Sequence, residues 1–371
     1  MITGNPKKIV LFCFNRSGVF QFSFQLAVAL GKIGTKVLFI TSRNNNTELF
    51  EQHENVRVVQ IVAPHTAASF AFATVGLLWK SSRIWKIISA FQPNIIHITD
   101  AYPWYLFWGI HLRKYPVVVT IHDPQAHAGE KYGWLLHLVT KRLVLLSKAI
   151  VVHGKILREQ FLQTYKYEKD KVTIIPLGNF DFYTVWKSHT SPVKNSLLFF
   201  GRIVPYKGLD VLLDACEILL SRGIDFTLTI AGEGELTPYM KDSSEKLKKN
   251  ITIHNRYIEE KDVAHFFESH ETVVLPYKEA TQSGVIPIAF AFERSIIATS
   301  VGAIPEVIRH KENGILVPPN SPKELADAIQ LLFGNDQLRQ QLASEGLITN
   351  TTKLSWPIVA EEYNKCYDTV L

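Results

Sequence analysis

The chain has 371 residues, 47% of them hydrophobic and 20% charged, which is too long for one ordinary core and suits two domains of about 150 to 200 residues each. Its three cysteines, Cys13, Cys216 and Cys366, lie far apart with no Cys-x-x-Cys or Cys/His spacing, which excludes a disulfide framework and a cysteine-rich metal site and fits a reducing compartment. The net charge of +6 conceals an asymmetry: residues 1–186 hold 21 Lys and Arg against 10 Asp and Glu, residues 187–371 hold 19 against 24, and no nucleic-acid-binding motif accompanies the basic half.

The opening "MITGNPKKIVLFCF" reads as a first strand and not as a signal peptide, because its apolar run stops at Asn15 and Arg16. A helix ("VFQFSFQLAVALGKIG") follows, then "KVLFITS", "VRVVQIV", "NIIHIT", "PVVVTIHD", "AIVVHG" and "KVTIIPL", short Val- and Ile-rich runs alternating with helical patterns. The uncharged run Val58–Trp79 contains Gln60, Pro64 and His65 and divides into a strand and a helix, so it is not expected to span a membrane. Polar residues 183–196 break the rhythm and are the best linker. The alternation then restarts with "SLLFFG", a helix over 208–223, "FTLTIAG", one helix near 236–249, "ITIHNRY", a helix over 260–270, "ETVVLPY", a helix over 285–292, "SIIATS", "GILVPP" and a helix over 321–334. Such alternation predicts α/β architecture with two doubly wound, Rossmann-like parallel sheets.

In these sheets ligands bind at the carboxyl ends of strands, so the informative residues are those just after each strand. After "LLFF" come Gly201 and Arg202, and Lys207-Gly208 opens the next helix; a planar fork and a point charge beside a positive helix end suit a diphosphate. Gly232 and Gly234 follow "FTLTIA", where glycine permits close backbone approach, although a plain turn would want the same residues. In "PYKEATQSGVIPIAFAF", Ser283 or Gly284 is expected to cap a buried helix and leave the amides of Gly284, Val285 and Ile286 unpaired for an anion, with Thr281 and Gln282 adding side-chain hydrogen bonds. His122 and Asp123 follow "VVVTI"; His97 and Asp100 occupy the same position after "NIIHIT". Glu306, behind Pro305, complements a helix dipole.

"GRIVPYKGLDVLLDA", "IAGEGE", "LPYKEATQSGVIPIAFAFERSIIATSVGAIPEVI" and "LSWPIVAEEY" resemble the family 4 retaining glycosyltransferases of the GT-B fold, densely over 196–362 and more loosely over 1–185. The resemblance implies an acceptor domain at 1–185, a donor domain at 186–352 facing it across a cleft, and a helix at 353–371 crossing back to the first domain. It implies that Arg202 and Lys207 hold the donor diphosphate, that His122 contacts the donor sugar, and that Tyr257 and Ile258 meet the base. Gly18, Gly201, Gly234, Glu279, Thr281, Gln282, Ser283, Gly284 and Val285 would complete the donor site, and His127, Glu130 and Asp100 would face the acceptor. The family commonly has two glutamates seven residues apart near this loop; Ala280 and Ile288 stand in their places, with Glu279 one position off, and the Thr-Gln-Ser-Gly loop resembles that of one branch of the family.

The expected activity is retaining transfer of a sugar from a nucleoside diphosphate to a hydroxyl of a saccharide or lipid-linked acceptor, in cell-surface polysaccharide or glycolipid synthesis, with no metal and no cofactor beyond the donor. A nucleotide-sugar epimerase on the same fold would need acid/base carboxylates, for which the first domain offers Asp100, Asp123 and Glu130. A non-catalytic nucleotide-sugar-binding subunit would be free to lose Arg202 and Lys207. A nicotinamide oxidoreductase would need a third glycine that "AGEGEL" lacks. The basic first domain, with Lys80, Arg83 and Lys86 beside Trp79 and Trp85 and the aromatic stretch "YPWYLFWGIHLRKY", is expected to work in the cytoplasm against the inner face of an anionic membrane; the alternative is that Trp104, Tyr105 and Trp108 are core and the charge attracts a soluble acceptor.

Overall fold

The computed structural model describes residues 6–48, 52–64, 77–125, 133–241 and 243–371. They divide into two compact units, one running to Gly178 and completed by Trp356–Leu371, the other contiguous from Asn179 to Ser355. The stretch 183–196 lies within the second unit. Its Asp181–Trp186 turn packs on the helices Glu260–Ser269 and Val285–Ala291, and Glu268 accepts from the amides of Ser188 and His189 at 2.7 and 2.9 Å.

The first unit is built on seven parallel strands: β1 (Lys8–Cys13), β2 (Lys36–Ser42), β3 (Val56–Ile61), β4 (Ile95–Ile98), β5 (Val117–Ile121), β6 (Ala149–Val152) and β7 (Val172–Ile174), in the order 3-2-1-4-5-6-7. Strands β4, β5 and β6 are buried at every residue, as β-branched runs covered on both faces must be. Helix Ser17–Lys32 packs beside the last helix, Trp356–Asp368, which belongs to this unit. Buried polar groups fix that helix. Tyr367 hydroxyl and Thr120 Oγ1 each lie 2.8 Å from a ring nitrogen of His97, Tyr363 hydroxyl lies 3.1 Å from Thr120, and Lys7 binds Asn364 Oδ1 at 2.7 Å. His97 is therefore spent on packing, with both nitrogens engaged. Among the described residues no helix is long and apolar enough to cross a membrane.

The second unit repeats the plan with β8 (Val193–Phe200), β9 (Thr227–Ala231), β10 (Ile251–His254), β11 (His270–Leu275), β12 (Ser295–Thr299) and β13 (Ile315–Val317), all parallel, in the order 10-9-8-11-12-13. Two elements differ from expectation. The single helix near 236–249 is two, Thr237–Met240 and Glu245–Lys249, because Ser244 starts a new helix: its hydroxyl caps the Leu247 amide at 3.1 Å, and Glu217 binds its amide at 2.7 Å. Asp336–Thr352 forms a helix that the polar sequence does not announce. Its Gly346 admits the Phe290 ring, so this helix backs the buried helix Val285–Ala291.

Candidate functional site

In the second unit the strand order reverses between β8 and β11, the switch point where an open α/β sheet offers a crevice. The loops after these two strands are tied together. Lys278 amide donates to Tyr206 carbonyl at 2.7 Å and Lys278 pairs with Asp210. Gly208, at φ +68°, presses its α-carbon against the Pro276 carbonyl, where any side chain would overlap.

Lys207 sits at this junction. A Cβ at Gly201 would fall 2.5 Å from its Nζ, so the missing side chain is the space the ammonium occupies. Nζ lies 5.3 Å from the Tyr277 ring centroid, and the Tyr277 hydroxyl lies 3.3 Å from Ser283 Oγ. Burial pushes the Lys207 pKa down to about 8, opposed by Tyr206 and assisted by Arg202. Arg202 is exposed and, among the described residues, donates to the Tyr206 hydroxyl at 3.4 Å. Among the described residues neither cation is ion-paired, although carboxylates such as Asp210 are near enough to pair with Lys278.

The helix end at 283–285 is only partly as expected. Val285 amide donates to Ser283 Oγ at 3.3 Å and Ile286 amide to Ser283 carbonyl at 3.4 Å, so Ser283 occupies two of the three amides through long bonds. Gly284 has ordinary helical angles (φ −66°, ψ −12°), and the nearest atom to a Cβ there would be Phe180 at 3.8 Å; the fold itself does not demand glycine. Gln282 Oε1 is buried and has no partner among the described residues. Thr281 holds the neighbouring loop by accepting from Ala303 amide at 3.1 Å, and Glu279 is exposed. Ile288, where a ribose-binding glutamate was sought, is a buried residue of the helix.

Gly234 has a structural account: its α-carbon abuts the Ile203 carbonyl, and Asn255 bonds its amide and carbonyl, both at 3.0 Å. Tyr257 is 44% exposed with its hydroxyl 3.1 Å from Glu260, and Ile258 is buried beside it. Glu306 lies in the first turn of Ile304–Val307.

The first unit reverses strand order between β1 and β4. Here Asp100 fills the crevice. One carboxylate oxygen accepts from the Phe14 and Asn15 amides, each at 2.8 Å, and the other from Tyr105 hydroxyl at 2.7 Å. Burial nevertheless raises its pKa to about 6 against those bonds. Both oxygens are engaged inside the unit and the side chain is buried, so an acceptor contact would have to share the oxygens with these structural bonds. Gly18 stands in the first turn of its helix with open space around it.

His122 is buried at the end of β5, with Nδ1 3.1 Å from Nε2 of His153, whose Nδ1 lies 2.9 Å from the Ile175 carbonyl. A carbonyl only accepts, so His153 carries its proton on Nδ1 and accepts at Nε2, which in turn places a proton on His122 Nδ1. His122 Nε2 is buried and makes no hydrogen bond of good geometry among the described residues, although the Thr99 backbone lies close enough to act on the ring. Burial lowers the His122 pKa to about 4 and that of His153 to about 3, which keeps both rings neutral. His127 and Glu130 lie outside the described residues.

Tyr277 and His153 were not anticipated. Each stands immediately beyond the carboxyl end of a strand, at Pro276-Tyr277 after β11 and at position 153 after β6, so the positional rule that singled out His122 would have reached both. The aromatic stretch fares otherwise. Trp104, Tyr105, Trp108 and Trp85 are core, because their large apolar area is satisfied by mutual packing.

Two family profiles match the chain in succession: "Glycosyltransferase Family 4" over residues 16–178 and "Glycosyl transferases group 1" over 194–335. A D-inositol 3-phosphate glycosyltransferase of Jonesia denitrificans is 24% identical, covering 95% of this chain and 91% of its own. Among solved structures, the sucrose-phosphate synthase of Thermosynechococcus elongatus superimposes with TM-score 0.76 at 18% identity, covering 98% of both chains. Anabaena HepE in complex with UDP-glucose superimposes with TM-score 0.75 at 16% identity, covering 98% of this chain and 99% of that one.

Proposed function

The chain is a GT4-type glycosyltransferase of the GT-B fold, and from that premise we propose that it transfers a sugar from a nucleoside diphosphate to a hydroxyl acceptor with retention of configuration. The observation that carries the reading is the unpaired Lys207 ammonium, poised over Tyr277 at the switch point and joined through that ring to the Thr-Gln-Ser-Gly loop. An ammonium partly stripped of water and left without a carboxylate gains most from a dianionic ligand. Arg202, exposed beside it, adds a fork that matches two phosphoryl oxygens.

As the glycosidic bond breaks, its electron pair passes to the diphosphate oxygen, and Arg202 and Lys207 stabilise the charge that develops there. The acceptor oxygen bonds to the anomeric carbon on the face the diphosphate leaves, and the acceptor proton passes to the departing phosphate. Gln282 Oε1, buried and unpartnered among the described residues, and the Gly284 backbone, which has open space beside it, belong to the same loop and serve the donor. His122, kept neutral by burial, is the first unit's candidate contact for a sugar hydroxyl. The charges supplied by side chains leave no step that calls for a metal. UDP is the first nucleotide to test, since HepE is described with UDP-glucose. The acceptor is lipid-linked in this reading, on the basic balance of the first half.

The test is a transfer assay with UDP-, GDP- and ADP-sugars in the presence of a chelator, with the product's anomeric configuration read by NMR. Chelator-resistant transfer with the donor's configuration kept is expected. An inverted product would overturn retention, and loss of activity restored by a divalent ion would overturn the metal-free reading.

A further inference from the structure

The first unit exposes large apolar side chains that its core does not need. Phe107 is 59% exposed, Ile110 77%, Trp134 71%, Leu138 47% and Leu145 71%. Three of them lie on helix Gly133–Leu146, where Trp134, Leu138, Lys141 and Leu145 are spaced 4, 3 and 4 residues apart. At 3.6 residues per turn these four fall within an arc of roughly 60°, while Val139, Thr140, Leu143 and Val144 on the other side are buried. The helix is thus apolar inward and carries a second, outward stripe of Trp, Leu, Lys and Leu.

Phe107 and Ile110 are exposed on the segment that packs against this helix. The turn Pro103–Leu106 packs on this helix, and Arg142, one turn from Leu138 and from Leu145, lays its guanidinium against Gly109; Nη2 lies 2.8 Å from where a Cβ would stand. Arg113 and Lys114 are exposed just beyond Ile110, and Lys141 and Lys148 along the helix and its end. No Asp or Glu occurs in residues 101–122 or 131–158. Apolar side chains and cations without an intervening carboxylate are complementary to an anionic bilayer surface, where rings and methyls enter the headgroup boundary and ammonium groups meet phosphates.

We propose that the Phe107, Ile110, Trp134, Leu138 and Leu145 face, ringed by Arg113, Lys114, Lys141 and Arg142, rests on an anionic bilayer. This rests on the reading above that the acceptor is lipid-linked, and it moves the membrane contact away from the buried tryptophans of the aromatic stretch. The placement also has a use. Helix Gly133–Leu146 follows β5, so its Trp134 end lies toward the carboxyl edge of the sheet, where His122 stands.

The experiment is co-sedimentation of the full chain with phosphatidylcholine vesicles, with and without 30% phosphatidylglycerol, at low and physiological salt. Each protein is also checked for UDP-induced thermal shift and for mass by light scattering. Wild type is expected to bind the anionic vesicles, more weakly as salt rises. Trp134→Ser/Leu138→Ser/Leu145→Ser and Arg113→Glu/Lys114→Glu/Lys141→Glu should each lower vesicle partitioning at least tenfold while leaving the UDP shift intact. Absent wild-type binding, or variants that partition like wild type, would overturn the membrane face, and an intact UDP shift would then leave the transferase reading standing. A wild-type dimer that the Ser variant renders monomeric, without vesicle binding, would assign the face to a second copy and overturn the proposal. A UDP shift absent from wild type, with vesicle binding present, would instead remove the donor reading and leave the face.

Discussion

The two units share strand order through their first six strands and treat the same crevice in opposite ways. In the second, the reversal between β8 and β11 presents an unpaired ammonium, a guanidinium and an open glycine. In the first, the reversal between β1 and β4 is plugged by the protein's own carboxylate, Asp100, bonded to the two amides that follow β1. Backbone amides at a switch point favour an anion in either case. One unit supplies that anion covalently; in the other, on the donor reading proposed above, the ligand supplies it. The comparison teaches that a shared fold says where a phosphate would bind, and that the residue occupying the crevice says whether it can.

The sharpest way to break this contrast is at Lys207. Lys207→Ala should lower turnover by about 10² to 10³ while the melting temperature holds. Gly201→Ala should reproduce much of the loss, since φ is +111° and a methyl would displace the ammonium. Steady-state kinetics beside calorimetry decide the matter; a destabilised Lys207→Ala protein with normal turnover per folded molecule would reverse the assignment of roles.

Asp100→Ala should do the reverse. It strands two amides and a buried hydroxyl, at about 1 to 3 kcal/mol each when left unsatisfied; Asn15 is only partly buried and removing the carboxylate relieves its own desolvation, so a loss near the low end, about 3 kcal/mol, is expected in denaturant titrations. UDP affinity should not move. If Asp100→Ala instead folds normally and loses acceptor saturation, the carboxylate is a binding group after all.

Gly284→Val sharpens the comparison from the ligand's side. With ordinary angles and open space the substitution should leave the melting temperature within a degree or two, yet weaken UDP binding by about tenfold if a phosphate packs on that backbone. Equal affinity in isothermal titration would remove Gly284 from the donor site.

The smallest effect is a pH slope. In the free protein Lys207 has its pKa lowered to about 8, and a bound diphosphate would raise it again, so binding takes up a proton above pH 8. Affinity should therefore be flat below pH 7 and fall as pH rises past 8, by at most tenfold per unit. Lys207→Ala should abolish that slope, and a wild-type profile flat to pH 9.5 would count against the contact.

Much of this was legible in the chain. Val- and Ile-rich runs such as "PVVVTIHD" and "ETVVLPY" end in the loops that hold His122 and Tyr277, because strands buried on both faces have no polar face to blur the signal. Arg202, Lys207 and the Thr-Gln-Ser-Gly loop could be singled out as candidates because they follow strand ends. What stayed hidden needed distance. Nothing local pairs His122 with His153, 31 residues on, or tells that Asp100 folds inward onto amides 85 and 86 residues earlier. The stretch 102–115 left two readings open for another reason: Trp104 and Trp108 are buried while Phe107 and Ile110 face out, and a run apolar on every side cannot reveal which side is inward. Helix Asp336–Thr352 was missed because it is largely polar and anchors through a glycine.

Returning the last helix to the first unit has a consequence for synthesis. Residues 179–355 are contiguous and can close their core while the ribosome is still translating, but the first unit waits for Trp356, Tyr363 and Tyr367, whose partners Phe22, Thr120 and His97 emerged hundreds of residues earlier. Until then Phe22 and the buried histidines stand open, a nascent-chain surface that holdase chaperones recognise. A stop codon at position 356 would remove 16 residues that carry none of the expected catalytic groups and leave the second unit whole, yet it would strand the first in that waiting state.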